Sequence, residues 1–135
     1  MDEDSVVWDD AYSVGFAPID DQHKVLVAMT NQLFEDSKKR VATADVAFLQ
    51  TVQKAVEYAQ THFTAEENYM SQVSYPNLAA HKEQHRQFEL QIAGSLKEFE
   101  KGGTAPIELV RFLKNWLLGH IAQSDKQYAP FLKRL

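Results

Sequence analysis

The sequence lacks cysteine, a transmembrane-length apolar run, a signal-like leader and any stripe of basic residues. The absence of cysteine excludes disulfides, thiolate metal ligands and a cysteine nucleophile. Without an apolar run or a leader, we expect a protein with no membrane association and no signal peptide, with the cytoplasm as its default location. The net charge of −5 and the missing basic stripe argue against a nucleic-acid partner.

The chain has 135 residues, of which 44% are apolar. That length and composition predict one globular domain over residues 1–135 with a real hydrophobic core. Residues 1–18 show no helical period but carry Trp8, Tyr12 and Phe16, so we interpret them as an ordered arm packed on the remaining residues, 19–135.

Four segments carry apolar residues at intervals of three and four, as the helices of a bundle do, and none shows sustained strand alternation. Short connections make neighbouring helices antiparallel. The sequence therefore predicts an all-α, up-down-up-down antiparallel four-helix bundle. The first expected helix starts at Asp20 as N-cap and ends near Lys39, and the second starts near Thr43 or Asp45. The third starts near Pro76 and ends at Gly102-Gly103. The fourth starts after Thr104, with Pro106 in its first turn, and ends near Leu132.

All five histidines fall on the inward stripes of these helices. His62 and Glu66 stand in the order H-x-x-x-E, and His81 and His85 in the order H-x-x-x-H, so each pair lies about one helical turn apart on one face. Burying several imidazoles and a carboxylate costs several kcal/mol without compensation, whereas a bound metal offsets that cost. Imidazole with carboxylate suits a divalent metal such as iron or zinc, and the number of ligands indicates two metals. The candidate ligands are His23, His62, Glu66, His81, His85 and His120, while Glu67, one residue off the stripe, is expected to be solvated.

Asp125 is out of phase by spacing alone, because five residues after His120 is about 140° round an ideal helix. Nevertheless Asp125, Tyr128 and Leu132 restart an inward stripe with a slip of one residue. A π-bulge, which inserts one residue into a helix, would bring Asp125 back into phase as a seventh ligand.

Several segments resemble the hemerythrin family, most closely the single-domain bacteriohemerythrins. They are D-D-Q-H (20–23), H-F-T-A-E-E (62–67), H-K-E-Q-H (81–85) and H-I-A-Q-S-D (120–125), together with W-D-D-A-Y-S-V-G-F (8–16) and R-F-L-K-N-W-L-L-G-H (111–120). The resemblance implies two iron ions that reversibly bind O2. It implies that His81, His85 and His120 hold one iron and that His23 and His62 hold the other. Glu66, Asp125 and a solvent-derived oxo or hydroxo group would bridge the two irons.

The leading functional interpretation is a non-haem di-iron protein that binds O2 for storage, delivery or sensing, acts as a monomer and is not an enzyme. Ferritin-like oxidases use Glu-x-x-His motifs, and no glutamate stands three residues before any histidine here. The alternatives are a di-iron peroxidase or oxidase and the oxygen-sensing module of a larger signalling protein. Candidates for an apolar O2 pocket are Phe63, Trp116, Leu117 and Ile121.

Overall fold

The computed structural model describes residues 5–38, 42–103, 106–133 and 135, with side chains from residue 48 onward in the second helix. Within these residues every regular element is helical, and the long helices contact one another in a ring, α1 with α2, α2 with α3, α3 with α4 and α4 with α1. The predicted four-helix bundle is confirmed. The elements are a short 3-10 helix (Asp10–Tyr12), α1 (Ala17–Ser37), α2 (Ala42–Gln72), α3 (Leu78–Glu100), α4 (Pro106–Gly119), a π-helical segment (His120–Asp125) and α5 (Lys126–Leu132).

The interior of the bundle contains two apolar clusters. The larger one includes Leu26, Phe63 and Phe88, and the smaller one, near one end, includes Ile19 and Tyr128. The buried histidines and carboxylates lie between them along the chain, since His23 falls between Ile19 and Leu26 on α1. A polar layer thus interrupts an otherwise apolar core. None of the helices in the described part of the chain combines the length and apolar character needed to cross a bilayer.

The N-terminal arm is ordered and packed on the bundle over residues 5–16, as predicted, whereas residues 1–4 lie outside the described part. Val6 is buried, and its backbone N–H and C=O both bond to the side-chain amide of Asn31, each at 2.7 Å. Two hydrogen bonds with one side chain anchor the arm in a fixed register on α1.

Two predicted helix starts are wrong. Helix α1 begins at Ala17, and Asp20 lies inside its first turn, where it accepts hydrogen bonds from the Val14 backbone N–H and the Ser13 hydroxyl. Asp20 therefore caps the arm and not the helix. Helix α3 begins at Leu78 and not at Pro76, because Pro76 belongs to a preceding turn in which Tyr75 N–H donates to Met70 C=O.

The remaining boundaries agree where they are described. Helix α3 ends at Glu100, and Gly102 follows it with a φ of +79°, a left-handed conformation that favours glycine. Helix α2 begins at Ala42, next to the predicted start at Thr43 or Asp45. The predicted boundary residues Lys39 and Thr104 lie outside the described part of the chain.

Candidate metal centre

Seven polar side chains converge in the layer between the two apolar clusters. Each is at most 7% exposed, and Glu66, Asp125 and His23 are fully buried. Their nitrogen and oxygen atoms form two groups, in each of which all atoms lie within 4.8 Å of one another. The first group contains Glu66, His81, His85, His120 and Asp125, and the second contains His23, His62, Glu66 and Asp125.

Asp125 reaches this centre because the backbone from His120 to Asp125 is π-helical. A π-helix bonds each residue to the fifth along, so His120 and Asp125 share a face that an α-helix would deny them. The predicted π-bulge is confirmed, and Tyr128 and Leu132 return to the core after it.

Glu66 and Asp125 each present one oxygen to each group. Glu66 Oε1 contacts His23 and His62, while Oε2 lies 3.3 Å from His81 Nε2 and 3.6 Å from His85 Nε2. Asp125 Oδ2 lies 3.0 Å from His23 Nε2, and its Oδ1 is 2.9 Å from Nε2 of both His81 and His120. The two carboxylates are therefore placed to bridge two positions.

The residues fit a pair of bound metal ions. The Nε2 atom of His120 lies 3.0 Å from His85 Nε2 and 3.1 Å from His81 Nε2. Two nitrogens at right angles about a metal, each bonded at about 2.1 Å, would be about 3.0 Å apart. In addition, the contacts of Glu66 Oε2 and both Asp125 oxygens with these imidazoles lack hydrogen-bond geometry, and the three oxygens are buried with no other hydrogen-bond partner among the described residues. Buried anionic oxygens of this kind call for a cation.

Without a metal, protons take the place of the cation. Burial favours neutral His23 and His81, but the carboxylates of Asp125 and Glu66 outweigh it and raise the pKa of each imidazole to about 9. Burial and the Glu66 charge act to raise the pKa of Asp125, yet His120 and His23 hold it at about 2. The pKa of Glu66 is likewise well below its usual value, against the effect of burial, because of His62, His23 and His81.

Two residues outside the predicted ligand set bond to its histidines. His62 Nδ1 lies 2.5 Å from Gln22 Oε1, and His85 Nδ1 lies 2.9 Å from Glu67 Oε2. The expectation that Glu67 is merely solvated is wrong, because its side chain is only 26% exposed and is paired with His85. A usable signal was present in the sequence, since Glu67 stands four residues after Phe63 and three before Met70, both buried.

Aromatic rings hold two of the imidazoles in place. The Phe63 ring stacks on His85 at 3.8 Å between centroids with an interplanar angle of 9°, and Trp116 stacks on His120 at 4.5 Å and 13°. On the side of the smaller cluster, the Tyr128 ring lies 5.5 Å from the His81 ring between centroids, and burial, with the charges of Glu66 and Asp125, raises the pKa of its hydroxyl. The layer is thus closed by rings on both sides.

An apolar cavity of about 30 Å³ lies next to the centre in the larger cluster. Three of the four predicted pocket residues, Phe63, Trp116 and Leu117, line it. Ile121 is buried in the same cluster but is not part of the lining. The cavity has room for a small apolar molecule beside the polar layer.

Comparison with known proteins agrees with this geometry. The sequence profile of the Hemerythrin HHE cation binding domain matches residues 14–132. The chain belongs to the hemerythrin family. Relatives of this hemerythrin include the bacteriohemerythrin of Stenotrophomonas maltophilia, 34% identical over 130 residues that cover 95% of this chain and 82% of the relative. Another is the bacteriohemerythrin of Methylococcus capsulatus, 34% identical over 122 residues, covering 89% of this chain and 88% of that protein.

A crystal structure of wild-type hemerythrin has the same fold, with a TM-score of 0.84 at 29% identity, covering 94% of this chain and 97% of that one. The matched range, residues 14–132, spans all seven residues of the candidate centre.

Proposed function

We propose that this hemerythrin is a non-haem di-iron protein that binds O2 reversibly. The observation that carries the proposal is the pair of donor groups sharing Glu66 and Asp125, each carboxylate presenting one oxygen to each group. We assign His81, His85 and His120 to one iron and His23 and His62 to the other, with the carboxylates and a solvent-derived oxo or hydroxo group between them. Bound there, the iron pair would supply the electrons that hold O2 reversibly.

The donor set favours binding over catalysis. Five neutral imidazoles with two shared carboxylates bring little negative charge to stabilise high-valent iron, which oxygen-activating sites require. Turnover is therefore no part of the proposal. A peroxidase or oxidase would consume O2 or peroxide continuously when a reductant is added, whereas a binding protein returns the gas.

The surroundings of the centre support gas binding because they are apolar. The residues that line the apolar cavity admit a small apolar molecule, and the ring of Phe63 forms part of its wall beside His85. A dry site slows proton access to reduced oxygen and so slows its loss. In the proposed function these side chains preserve reversibility.

The smaller donor group is the proposed place of O2 binding. It contains four residues and the larger group contains five, and the difference is one histidine. A metal with fewer protein ligands keeps an open position for a small molecule. Azide added to the oxidised protein should therefore bind at the position held by His23 and His62. A crystal structure with azide at the His81, His85 and His120 position, or bridging both, would contradict this assignment.

The decisive experiment combines metal analysis with absorption spectroscopy. Protein produced with iron available should contain about two irons per chain. After anaerobic reduction it should gain a visible band in air and lose it again under vacuum or inert gas. One tightly held zinc with no iron, or steady consumption of O2 with added reductant, would refute the proposal.

A further inference from the structure

Two histidines of the centre carry a hydrogen bond on the nitrogen that faces away from it. His85 Nδ1 bonds to Glu67 Oε2 at 2.9 Å, and His62 Nδ1 bonds to Gln22 Oε1 at 2.5 Å. In both cases Nε2 faces the centre. Both partners are acceptor oxygens, so each imidazole must hold its proton on Nδ1 and leave Nε2 free for a metal.

The two partners differ in charge. Glu67 offers a carboxylate and Gln22 a neutral amide, although each stands in the same relation to its ring. A carboxylate pulls the Nδ1 proton more strongly and makes Nε2 a stronger electron donor to a bound metal. It also places a negative charge on the far side of the ring from the metal position, which favours the more highly charged metal ion. His85 belongs to the larger donor group and His62 to the smaller one.

We propose that Glu67 is a positioning residue that makes the iron at His81, His85 and His120 the more easily oxidised of the two. This inference rests on the proposed di-iron function. In a half-oxidised pair, the ferric ion occupies the position whose ligand His85 is hydrogen-bonded to Glu67. The ferrous ion occupies the position whose ligand His62 is hydrogen-bonded to Gln22. The open position therefore stays ferrous, which is the state that binds O2.

The structure allows the charge of Glu67 to be changed without moving the ring. The Phe63 ring stacks on His85 and fixes its plane, and a glutamine at position 67 still offers an acceptor oxygen to Nδ1. Glu89 provides a matched control, because it lines the same surface groove as Glu67 and His85 and is not among the hydrogen-bond partners of His85. Its removal subtracts the same charge without touching the imidazole.

The test compares Glu67→Gln, Gln22→Glu and Glu89→Gln, each loaded with iron to the parent's content. Electrochemical titration, with the electron supplied by the electrode, should show that Glu67→Gln shifts the one-electron equilibrium about tenfold toward the ferrous state, about 59 mV. Mössbauer spectra of half-oxidised Gln22→Glu should show ferric ion redistributed toward the His23 and His62 position. Equal shifts in Glu67→Gln and Glu89→Gln, or unchanged spectra, would overturn the inference.

A zinc-loaded sample separates this inference from the proposed function, because zinc has no redox chemistry. In its NMR spectrum Glu67→Gln should move the Nδ1 proton of His85 upfield, whereas Glu89→Gln should leave that proton in place. If the parent fails to hold two irons or to bind O2, the proposed function fails, while the zinc spectra still test the hydrogen bond between Glu67 and His85. Two irons with reversible O2 binding but no effect of Glu67→Gln would refute the inference alone.

Discussion

Glu66 and Glu67 are adjacent in the chain but serve the centre in different ways. Glu66 is fully buried and contacts histidines of both donor groups, whereas Glu67 is hydrogen-bonded to the outer nitrogen of His85. Glu66→Ala should therefore lose most of its iron. Glu67→Ala should keep its iron with an affinity lowered about 10- to 100-fold, as for other residues that orient a ligand.

The measurement is iron content after dialysis against increasing chelator, with far-ultraviolet circular dichroism to confirm that both variants are folded. Equal iron loss in the two variants would show that the different roles assigned to them are wrong.

Leu117 lines the apolar cavity and stands three residues before His120 in the chain. Leu117→Ala should enlarge the cavity, cost about 2–5 kcal/mol of stability and raise the autoxidation rate several-fold by admitting water. Leu113→Ala is the matched control, since Leu113 lines the same cavity one turn farther from His120. The two substitutions should lower the stability of the protein by similar amounts, but only Leu117→Ala should raise the autoxidation rate. An unchanged autoxidation rate in Leu117→Ala would remove that residue from the proposed gas pocket.

At the scale of the element, the π-helical segment sets which residues face the core. Deleting Gln123, which is exposed, would leave the aspartate four residues after His120 and thus in phase on an ordinary α-helix. Inserting one alanine after Gln123 would require six residues in the turn, which no regular helix provides. We expect the deletion variant to fold and keep metal, and the insertion variant to lose both metal and burial of Tyr128.

Metal content and thermal unfolding of the two variants would test this expectation. If the insertion is tolerated as well as the deletion, the phase of the segment does not determine the position of Asp125.

Relations within one helix could be predicted from the sequence, whereas contacts between helices could not. Spacing within one helix sufficed for His62 with Glu66 and for the slip before Asp125, because those relations depend on a single backbone. The partner of Glu67 could not be found in this way, since it depends on how α2 packs against α3. The assignment of Asp20 as a helix cap failed for a similar reason, because the arm competes for its oxygens.

At the scale of the whole molecule, the polar layer makes the stability of the iron-free protein depend on pH. The pKa of His23 and of His81 is raised from 6.5 to about 9, so their contribution is complete below pH 6.5 and is lost as pH rises through about 9. The pKa of Asp125 is lowered from 3.8 to about 2, so its contribution is complete above pH 3.8 and is lost as pH falls through about 2.

The unfolding temperature of the iron-free protein should therefore be highest between about pH 4 and 6.5 and should fall on both sides. In the variant His23→Gln, the decline at alkaline pH should be shallower, because one of the two imidazolium contributions is gone. A parent protein whose unfolding temperature keeps rising from pH 6.5 to 9 would contradict the sign of these shifts.

The stacking of Trp116 on His120 also gives the molecule an optical signal of its own. The chain contains two tryptophans, and the other, Trp8, lies in the arm beside Tyr12 and Lys24. The indole ring of Trp116 lies 4.5 Å from the ring of His120, which we assign to iron. We therefore expect bound metal to quench the fluorescence of Trp116 and its release to restore it. In Trp8→Phe, ultraviolet fluorescence alone would follow the loading and release of metal in real time, without a dye or a label.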